Sequence, residues 1–357
     1  LPICEPLDRA RGARKLASID MLQGDLLEAE ATLERALATL SDLQTDPELN
    51  RVRCALAYLC VSRGDLLRAC LLARQSIRLA RSIDDTRGLA DAYRIRDIIA
   101  DREGNPRLAL AYARRCIWLY GDLKDLPRLV QANNNAADSC RQLGQLNRAS
   151  NYLQTGLEIA QRIGDTRDQA LLMVTQAELL LDQGRSDEAI GRLLEALPLA
   201  QTSGVLARII QTHHILGEAF EHQGRLEDAQ KHLETARALC METHHGRFIA
   251  DILLALAHLA ATSGDFGGSA NYIDQALEVA GPEPPPSIGL ESLRVRGYLA
   301  LCRQQWHDAV DLLEESLLPA DTREPVPQRA HAHHLLAQAY AGRQEEGDLA
   351  LARPHLK

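Results

Sequence analysis

The chain has 357 residues, 46% of them hydrophobic and only 4% aromatic, and a formal net charge of −9. The acidic balance argues against direct binding to nucleic acid. No run of about 18 consecutive apolar residues is present, so we expect no membrane segment. Abundant alanine and leucine with few aromatic residues favour helices packed on helices over sheets.

The start of the chain reads as a lead-in. Residues 1–9 contain Pro2 and Pro6, and no initiating methionine precedes them. The last residues, LALARPHLK, end inside what should be a second helix of a repeat. We therefore expect the sequence to be a segment of a longer protein.

From residue 10 onward, one pattern returns every 40 residues. A glycine marks the expected junction between two helices at Gly24, Gly64, Gly104, Gly144, Gly184, Gly224 and Gly264, and Gln304 takes the eighth position. Small residues recur five positions after each junction, at Ala29, Ala69, Ala109, Ala149, Ala189, Ala229, Ser269 and Ala309. Apolar residues between them share one helix face. A period of this length predicts a solenoid of helical hairpins.

The register predicts eight repeats over residues 10–329 and a partial ninth over 330–357. The units should start near residues 10, 50, 90, 130, 170, 210, 250 and 290. The junction of the ninth is expected to be shifted to Gly347. Proline-rich links at 281–289 and 319–328 are interpreted as stiff loops, or as a change of superhelical pitch.

The repeats resemble the tetratricopeptide (TPR) family. The resemblance rests on the glycine seven residues before the junction, the apolar residue four before it and the small positions after it. It departs from the usual repeat of about 34 residues, and the early glycine survives only at Gly217 and Gly297, with Asp97 in the third unit. The resemblance implies an all-α, right-handed α-solenoid (superhelix) of about eight to nine hairpins.

The 40-residue variant is similar to the repeat arrays of large bacterial ATP-dependent transcription regulators of the LuxR and maltose-activator type. It also resembles peptide-sensing regulators and cell-polarity scaffolds. These likenesses rest on phrases such as AQRIGDTRDQA and DLLEESL.

The sequence carries no recognisable catalytic or cofactor motif. Phosphate-loop, zinc-helix, nucleophile-elbow and dinucleotide patterns are all missing. We therefore predict no enzymatic activity and no cofactor. His331 and His334 could share a helix face, but solvated histidines are favoured over a metal site. The eight cysteines form no CxxC pair and are interpreted as packing thiols, which favours the cytoplasm.

Two further features are open to interpretation. The run Asn133, Asn134, Asn135 lies in a predicted helix, as a tolerated polar face or as amides directed into a groove. Trp118, on a second helix, is expected to pack, and Trp306 is expected in the core.

The TPR resemblance implies that the first helix of each unit lines the concave wall. In this chain, the positions that correspond to the wall lie 13, 10, 6 and 3 residues before each junction. The candidate partner-binding residues are Arg11, Arg14, Arg51, Tyr58, Asp91, Arg94, Gln131, Asn134, Asp138, Arg141, Glu178, His214, Glu218, Arg294 and Tyr298. The wall is basic at its amino end and acidic from the fourth unit onward, which is typical either of a polarised ligand such as a peptide or of an ordinary solvated face.

The favoured hypothesis is a noncatalytic sensor or docking domain of a larger bacterial regulator. Its partner could be a protein or peptide, a sibling domain or a small inducer, with Arg51, Arg94, Asn134 and Arg141 as the principal contacts. The alternatives are a self-assembling scaffold that associates through its terminal faces, and a peptide-binding adaptor unrelated to transcription.

Overall fold

The computed structural model describes residues 6–23, 25–40, 46–242, 248–318, 326–344 and 347–355. Within these ranges the regular structure is helical and contains no strand, as the all-α prediction requires. None of these helices is both long and apolar enough to cross a bilayer.

The helices follow one another as hairpins of two. In chain order they are α1 Pro6–Gln23, α2 Leu26–Thr39, α3 Pro47–Ser62, α4 Leu66–Ser82, α5 Thr86–Arg102, α6 Pro106–Asp122, α7 Leu126–Gln142, α8 Leu146–Ile163, α9 Thr166–Asp182, α10 Ser186–Ser203, α11 Leu206–His222, α12 Leu226–Glu242, α13 Ile249–Thr262, α14 Phe266–Ala280, α15 Pro286–Cys302, α16 Trp306–Leu317, α17 Val326–Arg343 and α18 Asp348–His355. The odd-numbered helices are the first helices of the units and mostly begin three or four residues before the predicted unit starts. The prediction of a lead-in over residues 1–9 is wrong for residues 6–9, because α1 begins at Pro6. Residues 1–5 lie outside the described part of the chain.

Aspartates start many of the helices. A side-chain oxygen accepts a backbone N–H three residues later at Asp65, Asp85, Asp125, Asp165 and Asp265. Such a cap satisfies one of the unpaired donors of the first turn and contributes about 1 kcal/mol. The recurring aspartates thus fix where these helices begin.

The junctions require left-handed backbone, as their glycines predicted. Glycine has positive φ at Gly64, Gly104, Gly144, Gly184, Gly224 and Gly264, whereas Gly24 lies outside the described residues. Gln304 adopts the same conformation at φ 59° without glycine, and so does Gln344, 40 residues later. The predicted shift of the ninth junction to Gly347 holds for the start of the second helix only, since α18 begins at Asp348 rather than two residues after Gln344. Gln344 keeps the register, and Gly347 is a second left-handed residue just before α18.

The small positions are where the two helices of a hairpin meet. All eight residues five positions after the junctions are 0% exposed, from Ala29 to Ala309. At Gly217 a Cβ would stand 2.5 Å from Leu233 Cγ, which is too close for a real contact. Close approach of backbone to side chain therefore explains the early glycine of this unit.

The chain forms two compact units, residues 1–143 and residues 144–357. In residues 1–143, each helix from α1 to α7 packs on the next along the chain. In residues 144–357, α8 to α18 are likewise packed in order, and the first helices of successive units, such as α13 and α15, also touch one another. Val326 at the start of α17 lies against Gly144, so the chain returns to the beginning of this unit.

The two tryptophans differ in environment. Trp306 packs against the apolar cluster around Leu313 and Tyr340. Trp118 is 71% exposed, so the expectation that it packs is wrong. Its position 14 residues after the junction places it on the outer side of α6, opposite the buried Cys116 and Leu119.

Candidate binding surfaces

Side chains of the first helices line a cleft of about 570 Å³ in residues 1–143. We call it the arginine cleft; its lining residues are Arg14, Ser18, Met21, Leu26, Arg51, Cys54, Ala55, Tyr58, Ser62, Arg87, Asp91, Arg94 and Arg128. It brings together five of the residues named from the sequence: Arg14, Arg51, Tyr58, Asp91 and Arg94.

One end of the arginine cleft is organised around Glu48, which is 1% exposed. Arg14 donates from Nε to Glu48 Oε1 at 2.9 Å, and Arg51 donates from a terminal nitrogen to Oε2 at 3.0 Å. Arg11 Nε lies 3.8 Å from Oε2. These arginines therefore compensate a buried carboxylate. The carboxylate in turn neutralises part of their positive charge.

The other end is organised around Asp91. Tyr120 donates its hydroxyl to Asp91 Oδ1 at 2.9 Å, and Arg128 forms an ion pair with the same oxygen. Arg87 pairs with Asp125 at 2.8 Å. Arg87 and Arg128 lie in the first turns of α5 and α7, before the positions predicted to line the wall, so the sequence reasoning missed them.

Arg94 differs from the other arginines that line the cleft. Its guanidinium carbon stands 5.6 Å from the centre of the Tyr58 ring. It has no hydrogen bond or ion pair with the part of the chain that the structure describes, and its Nε is buried without a partner. Of the five arginines that line the arginine cleft, four pair with Glu48, Asp91 or Asp125, whereas Arg94 has no carboxylate partner among the described residues. The cleft therefore offers uncompensated positive charge beside an aromatic ring.

Cys54 also faces the arginine cleft, but it is not suited to nucleophilic chemistry. Burial raises the pKa of the Cys54 thiol to about 12, and the charge of Asp91 contributes in the same direction. A thiol that stays protonated at neutral pH is a packing group rather than a nucleophile.

Asparagine and aspartate side chains form a second polar group, on α5 and α7. Asn135 donates to Asp97 Oδ2 at 2.7 Å, while Asn133 donates back to its own helix at Leu129. Asp138 accepts from Arg141 at 3.1 Å and from Gln142 at 2.9 Å. Asn134, the middle residue of the run, is 9% exposed. The amide of Asn135 thus joins α7 to α5 rather than lying free in a groove.

The predicted wall continues in residues 144–357 with mostly acidic groups and histidines. His258 Nδ1 lies 2.7 Å from Glu221 Oε1, which also accepts from Thr262 at 2.9 Å. The ring of Tyr298 stacks on His258 at 4.1 Å. Burial disfavours the imidazolium of His258, but the hydrogen bond to Glu221 and nearby carboxylates outweigh it and raise its pKa.

The remaining candidates of this unit lie along the same helices. Gln211 donates to Glu178 at 3.0 Å. His214 Nε2 is 3.4 Å from Glu218 Oε1 without the alignment of a hydrogen bond. Arg294 is only 3% exposed and donates to Glu291 at 2.7 Å, so it lies beneath the surface rather than on it.

The described residues contain no group of three or more His, Cys, Asp or Glu side chains suited to a metal ion. A second cleft of about 530 Å³, between α8, α9 and α10, includes none of the predicted residues. The arginine cleft therefore brings together five of the fifteen predicted side chains, and the second cleft none.

Comparison with known proteins identifies the repeats. A family model described as tetratricopeptide repeat matches residues 128–202 and 208–280. These two segments are therefore tetratricopeptide repeats. No curated protein matches it.

Solved structures share the fold over most of the chain. A Rap protein complexed with competence and sporulation factor is 15% identical, with a TM-score of 0.69, and 98% of this chain aligns with 97% of that one. NprR in complex with its cognate peptide NprX is 12% identical, with a TM-score of 0.66 and coverages of 97% and 96%.

A third similar structure is a signal transduction ATPase with numerous domains from Pyrococcus horikoshii, which has a tetratricopeptide repeat sensor. It is 14% identical, with a TM-score of 0.57, and 87% of this chain aligns with 47% of that one. At these identities the three structures establish the fold alone.

Proposed function

We propose that this chain is a noncatalytic TPR-type sensor domain that binds a peptide or protein segment carrying carboxylates in the arginine cleft. The observation that carries the proposal is Arg94, a cation without an ion-pair partner among the described residues, beside Tyr58. A guanidinium binds a carboxylate through two parallel hydrogen bonds. The aromatic ring and the neighbouring arginines supply the preformed surroundings that lower the cost of binding.

The larger context is part of the same proposal. The 40-residue repeat resembles the arrays of bacterial regulators of the LuxR and maltose-activator type, and one structural relative is described as having a tetratricopeptide repeat sensor. Two others are complexes with a factor or a peptide. These likenesses support a sensor segment of a bacterial cytoplasmic signalling protein that responds to a peptide.

A small anionic inducer is a second candidate for the same cleft. The volume of about 570 Å³ is within the range of small-molecule sites, about 300–1,000 Å³. The charged lining favours a peptide instead, since small-molecule sites are mostly apolar.

The test compares Arg94→Gln with Arg102→Gln, which removes an exposed arginine at the end of the same helix. The probe is a library of short acidic peptides with free carboxyl termini, the same peptides amidated, and small dicarboxylates. Loss of one charged hydrogen-bonding group costs about 1.5–3 kcal/mol, so Arg94→Gln should weaken the best peptide about 10- to 100-fold.

Arg102→Gln should leave that affinity unchanged, as measured by calorimetry or fluorescence anisotropy. Equal affinity of Arg94→Gln and the unaltered chain, or no binding of any peptide, would reject the peptide-sensor proposal. Binding of a dicarboxylate but no peptide would favour the small inducer.

A further inference from the structure

The charge on the outer face of the second helices changes sign along the chain. α4 and α6 together contain seven arginines and one acidic residue, whereas α14 and α16 contain six acidic residues and no lysine or arginine. The position ten residues after the junction holds Arg74 and Arg114 in the first pair, and Asp274 and Glu314 in the second. Equivalent points of the repeat thus present opposite charges.

We call the outer side of α4 and α6 the basic face. Its exposed arginines are Arg74, Arg78, Arg81, Arg107, Arg114 and Arg115. Among the residues that the structure describes, none of the six has a carboxylate partner. Arg81 instead donates to the Tyr93 hydroxyl at 2.7 Å, and Arg115 lies 5.1 Å from the centre of the same ring. Tyr93 therefore contacts both guanidinium groups, one through its hydroxyl and one through its ring, without neutralising them.

The basic face also exposes large apolar side chains. Trp118 is 71% exposed, Leu71 60% and Leu67 83%. Tryptophan and arginine are enriched where proteins bind one another, and lysine is depleted there. α4 and α6 contain no lysine. Composition therefore favours a protein surface as the partner of this face.

We call the outer side of α14 and α16 the acidic face. Asp308, Asp311 and Glu315 are exposed at spacings of three and four, so they share one side of α16. They form no ion pair with the described residues. Leu318, one residue past α16, is 74% exposed beside them. The acidic face thus matches the basic face in carrying unpaired charge with apolar side chains next to it.

We propose that the basic face binds the acidic face of a second copy of this chain. The helices α4 and α6 together carry a net charge of +6, and α14 and α16 together carry −6; each face spans two second helices of neighbouring repeats. Nucleic acid would also be attracted to the basic face, but the chain as a whole carries −9 and repels a polyanion. Since two different surfaces meet, the contact is heterologous and produces a ring or an open chain of copies.

The test is a charge-swap experiment followed by sedimentation velocity. Arg74→Glu with Arg114→Glu lowers the net charge of α4 and α6 together from +6 to +2, and Asp311→Arg with Glu315→Arg raises that of α14 and α16 from −6 to −2. All four side chains are exposed and form no described ion pair, so the fold should be retained. The unaltered chain should associate at about 0.05 M salt and dissociate at about 0.5 M, where charges are screened over a few ångströms.

Each double variant alone should stay monomeric at low salt, while an equimolar mixture of the two should associate again. Arg9→Glu with Arg102→Glu is the matched control, because it makes the same change of net charge outside the basic face and should associate normally. A monomeric unaltered chain at low salt, or association that survives both swaps, would overturn the proposal. So would tight binding of a single-stranded oligonucleotide lost only in the Arg74 and Arg114 variant.

Discussion

Asp97 is the residue that departs most from the repeat. It occupies the position seven before the junction, where most other units have alanine or glycine, and it is 2% exposed. Burial raises the pKa of Asp97 to about 7, with Asp101 and Asp138 adding to the increase and Asn135 and Arg94 opposing it. The third unit therefore contains a carboxylic acid that loses its proton near neutral pH.

The pH dependence follows from the direction of that change in pKa. Below pH 3.8 the group is protonated in both the folded and the unfolded chain and costs nothing. Between about pH 4 and pH 7 the unfolded chain releases the proton and the folded chain keeps it, so stability falls as pH rises. Above pH 7 the folded chain holds a buried charge, and the full free-energy cost of burying that charge lowers its stability.

We predict that Asp97→Asn stabilises the protein, and more so at pH 8 than at pH 5. The amide keeps an oxygen to accept from Asn135 and removes the buried charge. A tenfold change in the acid dissociation constant corresponds to about 1.4 kcal/mol, so the gain at pH 8 should be a few kcal/mol. The urea-unfolding midpoint measures it at both pH values, with the exposed Asp122→Asn as control. A gain that is equal at the two pH values would contradict this account.

At the scale of the helical hairpin, the junction residue sets how the two helices meet. Six glycines and two glutamines adopt left-handed backbone at this position in the described residues. For a residue with a Cβ that conformation costs about 1–2 kcal/mol, which glycine avoids. The eighth hairpin therefore stores strain at Gln304 that its glycine-containing neighbours do not.

We predict that Gln304→Gly raises the free energy of unfolding by about 0.5–1 kcal/mol. The relief of backbone strain in the folded chain should exceed the stabilisation that glycine gives the unfolded chain through its added conformational entropy. The matched reverse change is Gly224→Ala, which should lower stability by about 1 kcal/mol. Nothing lies within 4 Å of a Cβ at Gly224, so that loss would come from the backbone alone. Thermal unfolding midpoints should move in opposite directions, and movement in the same direction would rule out the junction as the cause.

The hairpins could be predicted from the sequence because their determinants are local and repeated. The left-handed junctions and the fully buried small positions follow from spacing alone. Charge pairing is harder to predict, because most of it depends on how side chains meet in space. The sequence suggested Arg14 as a partner contact, yet Arg14 pairs with Glu48, which lies 34 residues later in the chain. Trp118 was misjudged because an aromatic residue in a helix usually packs, and only the structure places it on the outer side.

On the scale of the whole molecule, each helix is stabilised mainly by its neighbours in sequence. α12 packs on α11 and α13, and α16 packs on α15 and α17. In such an array stability is approximately a sum over repeats and their interfaces. Loss of core packing in one hairpin should therefore spread only to the adjoining helices.

We predict that Leu233→Ala, at a fully buried position of α12, lowers hydrogen-exchange protection in α11 to α13 and leaves α16 and α17 unchanged. Truncation of a buried leucine costs about 2–5 kcal/mol, enough to open one hairpin locally. Leu194→Ala, at a 50% exposed position of α10, is the control and should alter no segment. If protection fell equally in α11 and α17, residues 144–357 would unfold as one cooperative body, and the additive description of the repeats would be wrong for this unit.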